Sequence, residues 1–206
     1  MSQQASLFGP PPSKRQVFDL PDADIWLEPG FLSRSVAEDW FRRLQDGLSW
    51  RQEDIEMFGR VHPVPRLSCW LGDDGQAYTY SGIRHEPEPW GPAEALRQQI
   101  EACTGDRFNS ALANLYRDGA DTVSWHADDE PELGRCPRIA SLSLGGTRRF
   151  VLRHKQTRQK LTLELTPGSL LWMGGLTQHA WEHSVPRTKR PVGPRINLTL
   201  RRVWKG

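Results

Sequence analysis

The sequence predicts helices packed on an antiparallel barrel or jelly roll, that is, a mainly β chain with flanking helices (α+β). Two observations carry that expectation. Two segments in the first half place apolar residues at helical spacing. Most of the remainder breaks into short β-rich runs separated by turn residues. No internal repeat interrupts the reading, and 206 residues suit one domain with a sizeable core.

Residues 1–16 are polar and carry Pro10-Pro11-Pro12, so they read as a flexible tail before a single domain over 17–206. Ser33 can cap a first helix running to about Leu48, with Val36, Trp40, Phe41 and Leu44 on its apolar stripe. A second helix is expected from Pro92 to Cys103. Leu96, Ile100 and Cys103 form its buried stripe and Gly105 ends it. Strands are expected at 108–116, 123–127, 138–144, 148–154, 161–165, 169–173, 180–184 and 195–203.

Composition narrows the classes. No apolar run is long enough to span a bilayer, and Met1-Ser2-Gln3-Gln4 lacks the start of a signal peptide. Cys69, Cys103 and Cys136 are odd in number and never at CxxC spacing, which argues against a disulfide framework or structural zinc. A cytoplasmic monomer is expected, or a nuclear one in a eukaryote. The net charge of +2 hides an asymmetry. Residues 1–134 hold 12 basic and 23 acidic residues, whereas 135–206 hold 15 and 2. A surplus of +13 within the last 72 residues favours an anionic polymer as partner, unless the two portions neutralise each other across the fold.

The chemistry concentrates in Trp125-His126-Ala127-Asp128, with His183 further on. Side chains alternate along a strand, so His126 and Asp128 point the same way and His183 arrives from another strand. Two imidazoles and one carboxylate leave up to three coordination sites open, the arrangement of non-haem Fe(II) oxygenases. His179 is the rival to His183, but the context His183-Ser184-Val185-Pro186 favours the latter. Zinc also accepts such ligands, yet a hydrolytic zinc site gives no reason for Arg195 and Arg201. These two are same-faced on one strand, opposite Ile196, Leu198 and Leu200, and a planar guanidinium suits a carboxylate. Asn114 and Tyr116 share a face in the same way.

Taken in order, Asn114-Leu115-Tyr116-Arg117-Asp118-Gly119, His126-Ala127-Asp128-Asp129-Glu130, Ile139-Ala140-Ser141-Leu142-Ser143, Pro167-Gly168-Ser169-Leu170-Leu171, His183-Ser184-Val185-Pro186 and Pro194 to Arg201 resemble the AlkB-type Fe(II)/2-oxoglutarate-dependent dioxygenases. Met57-Phe58-Gly59-Arg60 and Tyr78-Thr79-Tyr80-Ser81-Gly82 are most similar to the subgroup repairing alkylated double-stranded DNA. The resemblance implies a double-stranded β-helix, iron on His126, Asp128 and His183, and 2-oxoglutarate on Asn114, Tyr116, Arg195 and Arg201, with O2 as co-substrate. It implies oxidative demethylation of 1-methyladenine and 3-methylcytosine, releasing formaldehyde and succinate. Residues of about 50–90 would form a nucleotide-recognition extension.

A base must leave the duplex to reach the iron. Phe58 is the expected wedge, on a turn that Gly59 permits, with Arg60 on a phosphate and Arg66 nearby. Tyr78 and Tyr80 would line the base pocket. Asp129 and Glu130 would favour a cationic base, while Arg148, Arg149, Arg153 and Lys155 would grip the backbone. Ser68 is small where a larger polar residue would plug the gap left by the base, which weakens the expectation of duplex preference. In the tail, Gln4-Ala5-Ser6-Leu7-Phe8 resembles the peptide by which bacterial repair proteins dock on the sliding clamp, through Gln4, Leu7 and Phe8. An RNA base demethylase, a protein hydroxylase on the same iron site, and a DNA-binding module with a vestigial jelly roll are the competing functions.

Overall fold

A computed structural model describes residues 15–57, 59–75, 78–80 and 83–204, with the backbone alone at 56–57, 78–80 and 83–85. From the N-terminus come strands β1 (Gln16–Phe18) and β2 (Asp24–Glu28) and helix α1 (Arg34–Gly47). Strands β3 (Asp54–Met57), β4 (Arg60–Pro63), β5 (Leu67–Gly72), β6 (Tyr78–Tyr80) and β7 (Ile83–His85) follow, then helix α2 (Glu94–Thr104). The second half holds β8 (Ser110–Tyr116), β9 (Val123–His126), β10 (Ile139–Gly145), β11 (Arg148–His154), β12 (Lys160–Leu165) and β13 (Leu170–Gly174). A one-turn helix α3 (Thr177–Ala180), β14 (Trp181–Val185) and β15 (Arg195–Arg201) complete the chain.

Two antiparallel sheets make the jelly roll. A seven-stranded sheet runs β1-β2-β13-β10-β15-β8-β5, and a four-stranded sheet runs β12-β11-β14-β9. Period two sorts the larger sheet's side chains into two cores. Ala111, Ala113 and Leu115 of β8, Ala140, Leu142 and Leu144 of β10, and Ile196, Leu198 and Leu200 of β15 pack under the helices. Leu112 and Tyr116, Ile139, and Leu171 and Met173 of β13 face the other way, toward Phe150, Leu152 and Leu163 of the smaller sheet. The strands are therefore covered on both faces, and polar residues that alternate with the aliphatics are buried between the sheets rather than solvated.

Both expected helices form. Ser33 Oγ accepts from Val36 N at 3.4 Å to cap α1, whose Ala37 and Leu44 are buried. Gly105 closes α2 in the left-handed region at φ 75°, its N–H donating to Glu101 O. All eight expected strands form to within two residues at either end. The seven strands before residue 108 were not among them. β1 and β6 have three residues each, and the β3–β4 hairpin carries charges and a proline. β5 hides its strand character because Ser68 is buried at the sheet edge beside Cys69 and Trp70.

Two further boundaries shift. Arg15 lies 3.8 Å above the Trp26 ring and pairs with Glu28 at 3.2 Å, and Gln16 is in register with Leu27, so residues 15 and 16 belong to the domain. Ala180, expected in a strand, closes α3 instead. The described residues within 51–88 form the β3–β4 and β6–β7 pairs and β5, the last of which pairs with β8 in the larger sheet. The tail's Gln4, Leu7 and Phe8 lie outside the described residues.

Candidate metal and co-substrate site

His126 ends β9, Asp128 lies just beyond it, and His183 sits on β14 directly across from His126 in the sheet register. Their ligand atoms lie within 4.8 Å of one another, and Asp128 and His183 are buried. The imidazole centroids are 4.2 Å apart, and Phe150 stacks on His183 at 5.0 Å. His179, the rival, stands on α3 with Nε2 2.6 Å from Arg135 O, and takes no part in the cluster.

The electrostatics suit a cation. Burial pushes His183 down to about 3 and lowers His126 as well, so both imidazoles are neutral at neutral pH and keep a lone pair. His126 Nδ1 is 2.8 Å from Ser124 O; donating there leaves Nε2 as the free ligand nitrogen. Burial alone would raise the Asp128 carboxyl, but the Arg201 guanidinium outweighs it and holds it below the usual range. Arg201 Nη2 donates to Asp128 Oδ1 at 2.8 Å.

β8 and β15 pair antiparallel, with Tyr116 opposite Arg195 and Asn114 opposite Asn197, which builds the wall beside the triad. Arg195 is 1% exposed, and Nη2 donates to Ser143 Oγ at 2.9 Å. Among the described residues its Nε and Nη1 meet no hydrogen-bond acceptor, and burial pushes the guanidinium down to about 10. A buried cation without a carboxylate partner calls for an anion. The donor set therefore fits Fe(II), and Arg195 fits a carboxylate of 2-oxoglutarate.

Several pocket residues escaped the sequence reading. Ser141, Asn197 and Thr199 line the cavity with the triad, and Asn197 Nδ2 donates to Ser141 Oγ at 2.8 Å. Their signal was available: Asn197 and Thr199 lie at period two between Arg195 and Arg201. Arg66, expected on DNA, turns inward, where Nε donates to Asn114 Oδ1 at 2.8 Å and Nη1 to Thr122 O at 3.3 Å. It stands between the triad cavity and a second cavity of 190 Å³ lined by Ile55, Val64 and Trp125.

The expected nucleic-acid residues divide. Gly59 turns the β3–β4 hairpin at φ 71°, with Met57 paired to Arg60, and Arg60 is exposed. Phe58 lies outside the described residues, as do the side chains of Tyr78 and Tyr80. Arg149 is exposed. Arg148 is not: it is 2% exposed and donates to the carbonyls of Asp118, Asp121 and Pro186 at 2.8–2.9 Å. The expectation that it grips phosphate is corrected, because even numbering on β11 points inward. Arg153 pairs with Glu182 at 2.6 Å and covers the Trp125 ring at 4.0 Å. Lys155 donates to Asp129 at 3.1 Å and to Gln178 O at 3.0 Å. Asp129 is exposed and Glu130 half-buried, just after the triad's Asp128 in the chain.

A jelly roll that gathers two histidines and an aspartate beside a buried arginine with no carboxylate partner among the described residues defines a class of oxygenase, and comparison with known proteins agrees. The profile of the 2OG-Fe(II) oxygenase superfamily matches residues 24–201. The alkB homolog 3 dioxygenase of Bos taurus, an alpha-ketoglutarate-dependent enzyme by name, is 43% identical across 87% of the chain. The DNA oxidative demethylase ALKBH2 of Mus musculus is 39% identical over 82% of the chain and 76% of its own length. The Arabidopsis thaliana ALKBH2 is 34% identical over 93% and 70%. The chain spans 66% of the bovine protein, slightly under two thirds. The structure of OsALKBH1 superposes with a TM-score of 0.63 at 18% identity, covering 91% of this chain and all of that one, which supports the fold. The chain belongs to the 2OG-Fe(II) oxygenase superfamily and, within it, to the AlkB-type dioxygenases. Its cofactors are those of the superfamily, Fe(II) and 2-oxoglutarate, with dioxygen as co-substrate.

Proposed function

We propose that the chain oxidatively demethylates N-alkylated bases such as 1-methyladenine and 3-methylcytosine in DNA. The supporting observation is the His126–Asp128–His183 triad beside Arg195, two of whose nitrogens meet no acceptor among the described residues and call for a carboxylate, in a chain related to DNA oxidative demethylases. When bound, Fe(II), 2-oxoglutarate and dioxygen supply the oxidising power that releases the methyl carbon as formaldehyde, with succinate and carbon dioxide as co-products.

The protein's part is placement. His126, Asp128 and His183 would hold the metal, and Arg201 keeps one Asp128 oxygen occupied so that the carboxylate has a single orientation. Arg195, steadied by Ser143 and facing the Tyr116 ring at 5.2 Å, would take the distal carboxylate of the co-substrate. Asn114, steadied by Arg66, completes that wall. Asp129, next in the chain to Asp128 and exposed, would contact a cationic base, with Glu130 beside it. Lys155 shares the Asp129 charge, which tempers the preference. The β3–β4 hairpin, turned at Gly59 and with Arg60 exposed, would enter the duplex as the base leaves, with Phe58 proposed as its wedge. Arg149 would meet the phosphate backbone.

Incubation with a 1-methyladenine duplex, Fe(II), ascorbate and 2-oxoglutarate should yield formaldehyde and the restored base. Absence of turnover on single- and double-stranded DNA and on RNA would replace this reading with a protein hydroxylase. Faster turnover on RNA than on DNA would make it an RNA demethylase. No helix of the described residues is long and apolar enough to cross a membrane. The chain would act as a monomer where DNA is kept: the cytoplasm of a bacterium, or the nucleus of a eukaryote. Deleting residues 1–9 should weaken capture by a sliding clamp without changing turnover, and unchanged capture would dismiss the docking peptide.

A further inference from the structure

The one-turn helix α3 has no place in the co-substrate wall, yet it holds the loop that carries Asp128. Gln178 is 1% exposed, and its Oε1 accepts from the Asp128 backbone N–H at 3.0 Å. Among the described residues its Nε2 meets only the Met173 sulfur at 3.6 Å, a weak acceptor, so the acceptor end of the amide makes the stronger bond. The turn itself is anchored at both ends. Thr177 Oγ1 accepts from Asp24 N at 2.9 Å, and Lys155 N donates to Ala180 O at 2.7 Å. Two more ties reach the same loop: His179 Nε2 to Arg135 O at 2.6 Å, and Lys155 Nζ bridging Gln178 O to Asp129.

This placement has a consequence for the metal. Asp128 and His183 come from segments far apart in the chain, so their separation depends on whatever joins those segments. Gln178 lies in the segment that runs directly into β14 and His183, and it bonds the residue that supplies the carboxylate. We propose that Gln178 is a positioning residue for the metal: its buried carbonyl fixes Asp128 relative to His183 and thereby sets the affinity of the triad for a divalent cation. Partners of this kind, one bond behind the ligands, typically change metal affinity 10–100-fold when removed. A side chain of equal volume without an acceptor leaves the Asp128 N–H buried and unpaired, and the loop relaxes to satisfy it.

The inference rests on reading His126, Asp128 and His183 as a metal site and is independent of the nucleic-acid substrate. The experiment is Co(II) titration of the metal-free full chain by calorimetry and visible absorption, on variants shown by circular dichroism to be folded at the working temperature. Gln178→Leu should bind Co(II) about 10–100-fold more weakly than wild type, with an altered ligand-field spectrum. Gln178→Glu keeps an oxygen at the same reach and should recover most of the affinity. Gln178→Asn, one methylene short, should fall between them. Unchanged affinity and spectrum in Gln178→Leu would overturn the proposal. Equal losses in Gln178→Leu and Gln178→Glu that track a lower melting temperature would overturn it too, since packing would then explain both. Where Gln178→Leu does not fold, the order of Gln178→Glu above Gln178→Asn decides. A wild-type chain that binds no Co(II) would instead sink the metal reading itself.

Discussion

The strand β15 and the outer face of β11 are both rich in arginine, yet they put that charge to opposite uses. On β15, Arg195 and Arg201 are 1% and 2% exposed and point between the sheets, one at Ser143 and one at Asp128. On β11, Arg149 is open to solvent, while its neighbour Arg148 is as buried as the β15 pair. The basic surplus of the last 72 residues is therefore two populations. Arg148, Arg195 and Arg201 are internal and Arg153 is spent on Glu182, which leaves fewer cations for a polyanion than a count along the chain suggests. Charge density in a sequence reports an electrostatic surface only after the buried members have been subtracted.

The most damaging test of the interior population is removal of its metal partners. Asp128→Ala or His183→Ala should lower turnover by at least about 10³-fold, since each takes a ligand from the triad; turnover within ten-fold of wild type would mean the metal sits elsewhere. Asp128→Ala also leaves Arg201 buried without its carboxylate, so calorimetry should show a stability loss of about 3–5 kcal/mol. Next in size is Arg195→Leu. Charge-assisted bonds to a carboxylate contribute about 1.5–3 kcal/mol, so KM for 2-oxoglutarate should rise about 10–150-fold while Co(II) affinity stays near wild type. An unchanged KM would remove Arg195 from the co-substrate wall.

How much of this was legible beforehand follows from what period two can and cannot say. Alternation put Arg195 and Arg201 opposite Ile196, Leu198 and Leu200, and that is how they stand. The same rule applied to β11 separates Arg148 from Arg149, but a run of charges along 148–160 hides the alternation beneath the total. His126 and Asp128 were expected on one strand. The strand ends at His126, and the loop beyond it is held by Gln178, a contact between distant segments that no local pattern encodes. α3 was unreadable for the same reason, because four residues cannot show a helical period. The family resemblance points Arg66 at DNA, whereas its direction is set by Asn114 and the Thr122 carbonyl across the sheet.

Acid should separate the two populations further. His126 and His183 are held neutral by burial, His183 down to about 3, whereas in the unfolded chain they take up protons near pH 6.5. Below that point the unfolded state binds more protons than the folded one, so stability falls as pH drops from about 6.5 toward 3. Asp128, held below the usual carboxylate range, adds to the loss at the acidic end. Denaturant melts of the metal-free chain across that window should show the decline, and His183→Gln should flatten it. An identical slope in the variant would mean the histidine protonates freely in the folded state.

The smallest expected effects compare the adjacent arginines directly. Arg148→Ala would strip three carbonyls of their donor, those of Asp118, Asp121 and Pro186. Because the Asp121 carbonyl would be left buried without its donor and the other two partly so, stability should fall by about 1–3 kcal/mol. Nucleic-acid affinity of the folded protein should not change its dependence on salt. Arg149→Ala should do the reverse. Stability should move by less than about 0.5 kcal/mol, while the slope of log affinity against log salt for duplex DNA should drop by about one, the loss of a single phosphate contact. A salt slope that responds to Arg148 and ignores Arg149 would mean that β11 presents its other face to the nucleic acid.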